Sequence, residues 1–301
     1  MKIATIVGAR PQFIKAAIVS KEISKHNSIS EIIIHTGQHF DANMSEVFFK
    51  ELGIPKPKFN LKIANLTHGA MTGRMLEKIE PILKEQNPDF LLVYGDTNST
   101  LAGALAASKI HVPVAHVEAG LRSFNRNMPE EINRVLTDHI SDLLFAPSKT
   151  AASNLLKEGI SKNKIYDVGD VMYDACLYFS DLAKTKSNIL STLRVSPNEY
   201  ILSTVHRQEN TDNRRKLTDI FSALSNSKLP VVMPLHPRTL KKINEFGIKQ
   251  KNIIKTIEPV GYIDMVLLQK YANKVFTDSG GLQKESYFLD TPCIVMREET
   301  E

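Results

Sequence analysis

The chain has 301 residues, 42% of them hydrophobic and 24% charged, a globular composition that excludes a disordered or fibrous protein and suggests two domains at roughly 150 residues each. Lys plus Arg (38) against Asp plus Glu (33) gives a net charge of +5 and a pI near 9.0. This modest excess, spread along the chain, suits a small anionic ligand at least as well as a nucleic acid. Cys176 and Cys293 stand far apart without CxxC spacing, so neither a disulfide framework nor a structural zinc site is indicated, and a cytoplasmic setting is expected. No stretch approaches the roughly 18 apolar residues of a membrane span.

From the N-terminus, IATIV (3–7) reads as a buried strand, being too short for a signal peptide. Further strand-like runs follow at EIIIHT (31–36), DFLLVYG (89–95), VPVAHVEAG (112–120), DLLFAPS (142–148) and KIYDVGD (164–170). Between them KAAIVSKEISK, MSEVFFKEL, AMTGRMLEKIEPILKEQ, STLAGALAASK, PEEINRVLTDHIS and KTAASNLLKEG carry apolar residues at helical spacing. Strand–helix alternation of this kind implies a parallel sheet with crossover helices. After a helical stretch at 172–185 and a polar crossing at 184–199, whose middle has helical character, the pattern restarts. Its strands are YILSTV (200–205), LPVVMPL (229–235), NIIKTI (252–257), KVFTDS (274–279) and PCIVM (292–296). The expected architecture is α/β, with two Rossmann-like domains, 1–172 and 173–301, and a cleft between them. The second domain is expected to be incomplete, because the chain stops at MREETE with no closing helix.

In open α/β sheets ligands gather at the carboxyl ends of the strands, and each charged cluster of interest lies at such an end. GARPQFIK (8–15) places Gly8 at a tight turn and brackets the next helix start with Arg10 and Lys15, a setting for an anion or simply a βα turn with surface cations. Lacking GxGxxG, it does not read as a nicotinamide site. In YGDTNSTL (94–101), Asp96 suits a base, a hydroxyl binder or a helix cap. In HVEAGLRSFNRNMPEEINR (116–134), Glu130 and Glu131 open a helix, where acids complement the macrodipole. Glu118, directly after an apolar strand, is a general acid/base candidate whose burial would favour the protonated form. STVHRQEN (203–210) brings His206 and Arg207 to the end of the second half's first strand, with His236 of PLHPRT at the end of the next. The scattered histidines match no metal motif. FTDSGGLQKES (276–286) is the most specific segment: Ser279, Gly280 and Gly281 open a helix as a phosphate cradle, and Glu285 lies one turn further on, within reach of ribose hydroxyls.

As an ordered set over the whole chain, GARPQFIK, HTGQHFD, YGDTNST, HVEAGLR, MPEEINR, GDVMYDA (169–175), TVHRQEN, PLHPRT, TDSGGLQKE and VMREETE resemble the non-hydrolysing UDP-N-acetylglucosamine 2-epimerase family. The resemblance implies a GT-B-like fold and interconversion of UDP-GlcNAc and UDP-ManNAc, by C2 proton removal, anti elimination of UDP and re-addition, without a cofactor or metal. It also implies a catalytic set of Asp96, Glu118, Glu130 and His206. Arg10 and Lys15 would hold the diphosphate and sugar side, Ser279, Gly280 and Gly281 the diphosphate, and Glu285 the ribose. Arg207 and His236 join the substrate-binding set, as does Met265 on the uracil side, where better-known members have Phe. Further implications are a homodimer through the first domain, and a chain cut after Glu301 within the family's ERPE motif. Phe40-Asp41 after HTGQH departs from regulated members, which removes the expectation of allosteric activation. Val260, Met265 and a short RSFNRNMPEE loop leave a diacetamido or uronic acid relative open as the sugar. A hydrolysing 2-epimerase, an inactive sugar-nucleotide binder and, at fold level only, a glycosyltransferase are the competing readings.

Overall fold

Runs rich in Val and Ile become strands buried on both faces, the environment that a parallel sheet between two helix layers provides. The computed structural model describes residues 1–38 and 48–297. The chain divides into two units, Met1–Ala175 and Cys176–Glu301.

The first unit runs β1 (Lys2–Val7), α1 (Arg10–Ile23), β2 (Ser30–His35), β3 (Phe59–Asn60), α2 (His68–Gln86), β4 (Phe90–Tyr94), α3 (Asn98–Lys109), β5 (Val114–Val117), α4 (Pro129–Ile140), β6 (Leu143–Ala146), α5 (Lys149–Lys157) and β7 (Ile165–Asp167). Helix α6 (Val171–Lys186) leads into the second unit. The seven strands lie in the order β3-β2-β1-β4-β5-β6-β7, and all their pairings are parallel. Beyond the crossing come α7 (Ile189–Leu193), β8 (Ile201–Thr204), α8 (Gln208–Thr211), α9 (Arg214–Ser225), β9 (Val231–Pro234), α10 (Pro237–Phe246), β10 (Ile254–Ile257), α11 (Tyr262–Lys270), β11 (Lys274–Thr277), α12 (Gly280–Phe288) and β12 (Cys293–Val295). This second sheet is ordered β10-β9-β8-β11-β12 and is also parallel throughout. In each sheet the order reverses direction once, between β1 and β4 and between β8 and β11. Such switch points are where doubly wound sheets bind ligands.

Two departures from periodicity have clear causes. Helix α1 starts at Arg10 rather than Lys15 because its first turn buries Gln12 for hydrogen bonding, a polar residue that an apolar count passes over. Strand β3, only Phe59–Asn60, is too short to leave a pattern. The Ala-rich α3 packs closely on the sheet: Ala102, Ala104, Ala106 and Ala107 join Ala4 and Ile6 in the core, and a Cβ on Gly103 would sit 2.9 Å from Ile6. Two clusters around Phe221 and Tyr200 fill the second unit. The helix-like segment 44–52 lies partly, and Phe40-Asp41 and the last four residues wholly, outside the described residues. Among the described residues no helix is long and apolar enough to cross a membrane.

Candidate functional site

At the first unit's switch point, Gly8 ends β1 and Asp96 follows β4. Gly8 is not a left-handed turn residue. Its requirement is space, since a Cβ would lie 2.1 Å from Thr36 Oγ1 and 2.2 Å from Ser99 Oγ. Gln12, 1% exposed, ties this turn to the end of β4. Its Oε1 accepts from the N–H groups of Gly8 (2.8 Å) and Ala9 (3.0 Å), and its Nε2 donates to the Tyr94 carbonyl (2.9 Å). Nothing in the residue pattern marked Gln12 as more than a surface position.

Lys15 is not the surface cation expected at the start of α1. It is buried and forms an ion pair with Glu118, itself largely buried. An ammonium thus stands beside the Glu118 carboxyl, a partner that the reading from burial alone did not include. Glu118 also adopts a left-handed backbone, φ 73°, which is strained for a residue with a Cβ and is tolerated where surrounding structure imposes it. The Glu118 and Ala119 N–H groups both donate to the Phe145 carbonyl (3.1 Å each), which holds that conformation.

Asp96 does not cap α3; Thr97 does, its side chain accepting from the Thr100 N–H. The Asp96 carboxylate instead receives Arg134 Nη2 at 2.5 Å. Asn133 Nδ2 donates to its carbonyl at 2.9 Å. Of the acidic pair opening α4, Glu130 is exposed and makes no described hydrogen bond or ion pair, whereas Glu131 is 2% exposed. Glu131 accepts from the Ser123 N–H (2.9 Å) and Oγ (3.0 Å), the Phe124 N–H (3.0 Å) and Arg134 Nη1 (3.0 Å). Burial alone would raise the Glu131 carboxyl. The Ser123 and Phe124 donors and the Arg134 charge outweigh it and hold the carboxyl below its ordinary range. Arg10 opens α1 with its guanidinium 4.6 Å over the Phe48 ring, a cation–π contact.

At the second unit's switch point the organiser is Asp278, which follows β11 and is fully buried. It accepts from the N–H groups of His206 (3.0 Å) and Arg207 (3.0 Å) and from Asn210 Nδ2 (3.0 Å). This draws TVHRQEN to the DSGG turn and sets the His206 ring, 40% exposed, with Nδ1 3.3 Å from Asp278. An acid directly after a buried strand was the available signal for Asp278, the same one that singled out Asp96 and Glu118.

Ser279 caps α12, its Oγ accepting from the Leu282 N–H at 3.5 Å. A Cβ on Gly280 or Gly281 would meet nothing nearer than 3.7 Å, and neither residue has a positive φ. The protein's own packing therefore does not require these glycines, whereas close approach of an outside group to the helix N–H groups would. Glu285 is buried and accepts from Tyr262 Oη at 3.0 Å. Two expected binding residues have structural explanations. His236 caps α10, its Nδ1 accepting from the Arg238 N–H at 3.2 Å. Met265 is 9% exposed in the apolar cluster with Tyr200, Leu202 and Leu268, a packing role that accounts for it without a ligand. Among the described residues no group of acidic, His or Cys side chains could hold a metal ion.

The sequence model described as UDP-N-acetylglucosamine 2-epimerase matches residues 21–301. The chain belongs to the UDP-N-acetylglucosamine 2-epimerase family. It is 55% identical over its whole length to the UDP-2,3-diacetamido-2,3-dideoxy-D-glucuronate 2-epimerase of Pseudomonas aeruginosa, covering 84% of that protein. It is 48% identical to a UDP-N-acetylglucosamine 2-epimerase of Methanococcus maripaludis, again over the full chain and 84% of the relative. The solved Methanocaldococcus jannaschii UDP-GlcNAc 2-epimerase, in complex with UDP-GlcNAc and UDP, superposes with a TM-score of 0.89 at 47% identity, matched over 100% of this chain and 85% of that one. The Neisseria meningitidis enzyme bound to UDP-GlcNAc gives 0.90 at 32% identity, over 100% and 84%. As a member of this epimerase family the chain is an isomerase, and the GT-B-like α/β fold class expected from its sequence is the one found.

Proposed function

We propose that the protein reversibly inverts C2 of UDP-GlcNAc, giving UDP-ManNAc, by elimination of UDP to a glycal and re-addition. The observation carrying this reading is the pair of carboxylates at the first unit's switch point. Asp96 and Glu118 are each held beside a cation, Arg134 and Lys15, and Glu118 is in a strained backbone conformation. A C2 hydrogen is weakly acidic, so its removal calls for a fixed, ionised base and a stabilised leaving group. In this reading the first unit supplies Asp96, Glu118 and Glu130 for proton transfer, with Arg10 and Lys15 supporting the anionic substrate.

The second unit supplies His206 and Arg207, the Ser279 side chain and the N–H groups of Gly280 and Gly281 for the diphosphate, with Glu285 for the ribose; the Ser279 N–H is itself taken up by Thr277 Oγ1 at 2.9 Å. Charge building on the departing UDP is met by donors already in place. The reading extends to a homodimer, which light scattering would test; the outer face of α4 exposes Ile132 and Leu136.

A second sugar enters through one finding. The diacetamido-glucuronate epimerase is 55% identical, above the 48% of the archaeal UDP-GlcNAc enzyme and level with the 56% of a UDP-N-acetylglucosamine 2-epimerase homolog of Methanococcus maripaludis. Proton NMR in D2O, with each UDP-sugar offered separately, tests both. Deuterium at C2 with a new 2-epimer and no free sugar is the expected result, and the faster substrate identifies the sugar. Release of free 2-epimer and UDP would instead make the protein a hydrolysing epimerase.

A further inference from the structure

The mechanism above leaves one buried charge network unused. His116, in β5, and Asp138, in α4, are both fully buried, and the His116 Nδ1 lies 2.7 Å from Asp138 Oδ1. The other ring nitrogen, Nε2, faces the Gly95 carbonyl at 2.7 Å. Asp138 Oδ2 accepts from the Gly120 N–H at 3.0 Å and from Arg122 Nη1 at 2.7 Å. Arg122 in turn pairs with Glu158 through Nε and Nη2, both at 2.7 Å. Burial alone would raise the Asp138 carboxyl; the charges and hydrogen bonds of His116 and Arg122 outweigh it and keep the carboxyl below its ordinary range. With a carboxylate at one ring nitrogen and a carbonyl at the other, the His116 ring bridges Asp138 and the Gly95 peptide.

The contacts fall on two particular peptides. Gly95 immediately precedes Asp96, and Gly120 is two residues past Glu118. One histidine–aspartate pair thus pins the backbone of both carboxylate-bearing loops to α4. Buried ion networks are poor stabilisers, since removing charges from water cancels much of their attraction, so this one calls for a role other than stability. We propose that His116 and Asp138 are positioning residues that hold the Asp96 and Glu118 loops at a fixed separation for proton transfer. This inference rests on the assignment of Asp96 and Glu118 to that chemistry.

The test uses His116→Gln and Asp138→Asn in the full chain, each corrected for folded fraction by near-UV circular dichroism. A glutamine reaches only one of the two partners, and the expected result is a kcat lower by about 100-fold with UDP affinity unchanged. An asparagine keeps the shape of the carboxylate and can still accept from Gly120 and hydrogen-bond the His116 ring, so Asp138→Asn is expected to retain kcat within about tenfold of the parent. Amide hydrogen exchange supplies a readout independent of turnover. In His116→Gln, peptides 94–98 and 118–122 are expected to exchange on the order of tenfold faster while the rest of the first unit is unchanged.

Faster exchange spread over the whole unit, or a folded His116→Gln with kcat within threefold of the parent, would overturn the proposal. So would an Asp138→Asn loss as large as that of His116→Gln. Should His116→Gln not fold, Asp138→Ala takes its place with the same outcomes. A parent protein that binds UDP but exchanges no C2 proton would count against the proposed reaction alone, and the local exchange result would still decide the positioning role.

Discussion

The two switch points solve different problems with the same topology. In the first unit, side chains face side chains. Lys15 meets Glu118, Arg134 bridges Asp96 and Glu131, and His116 meets Asp138, all wholly or largely buried apart from the half-buried Asp96. In the second unit a single buried carboxylate, Asp278, gathers main-chain N–H groups and leaves the His206 ring and the glycine-opened helix start only partly buried. Proton transfer demands carboxylates fixed within fractions of an ångström, while a diphosphate is held by a field of donors that tolerates more variation. Under the proposed function the contrast gives proton transfer to the first unit and diphosphate binding to the second, so substitutions on the two sides should fail differently.

The largest effect is expected from Glu118→Gln. It keeps the shape and removes the carboxylate proposed for proton transfer, so C2 exchange should fall by about 1,000-fold or more, with UDP titration by calorimetry unchanged. Normal turnover would remove Glu118 from the catalytic set and dissolve the contrast. On the other side, Asp278→Ala leaves the donors of His206, Arg207 and Asn210 without their common acceptor. The expected cost is about 3 kcal/mol of stability in urea melts, together with weakened UDP binding. If UDP affinity survived in the folded fraction, Asp278 would not be organising a binding surface.

The glycines sharpen the comparison because they occur at both switch points for different reasons. Gly8→Ala must displace Thr36 and Ser99, and thermal or urea unfolding should show a loss of about 1–3 kcal/mol. Gly280→Ala makes only an ordinary contact, 3.7 Å to Arg297 Nη1, so stability should hold while UDP binding weakens by about tenfold, close to 1.4 kcal/mol. Equal destabilisation by both substitutions would mean that Gly280 serves packing rather than a ligand.

The fold was largely legible because parallel strands buried on both faces leave dense Val and Ile runs, and crossover helices leave their own period. Glu118 and Asp96 were legible as acids directly after such runs. Their partners were not. Lys15 and Arg134 reach them from 103 and 38 residues away along the chain, and Asp138 reaches the Gly120 N–H across 18, through contacts that only the tertiary structure makes. Glu131 was read as a macrodipole acid because first-turn acids usually are, yet the loop folds back so that Ser123 and Phe124 donate to it. Met265 sits where pattern alone cannot tell a ligand contact from a core residue, and the structure places it among apolar neighbours.

Glu131 also yields the smallest effect expected, one that separates holding a loop from doing chemistry. Its folded-state carboxyl lies below the ordinary 4.5, so folding favours the ionised form. The stability gained is present in full above about pH 4.5 and disappears as the pH falls through the lowered folded-state value. Glu131→Gln has no proton to gain there. Its urea midpoint should therefore fall less steeply than the parent's between pH 5 and pH 3, regions chosen from general carboxylate titration, with a modest loss at neutral pH from the weakened Arg134 contact. Parallel slopes for parent and variant would show that the donors around Glu131 are dispensable to the folded loop, and that the first unit's edge is held by its other pairs alone.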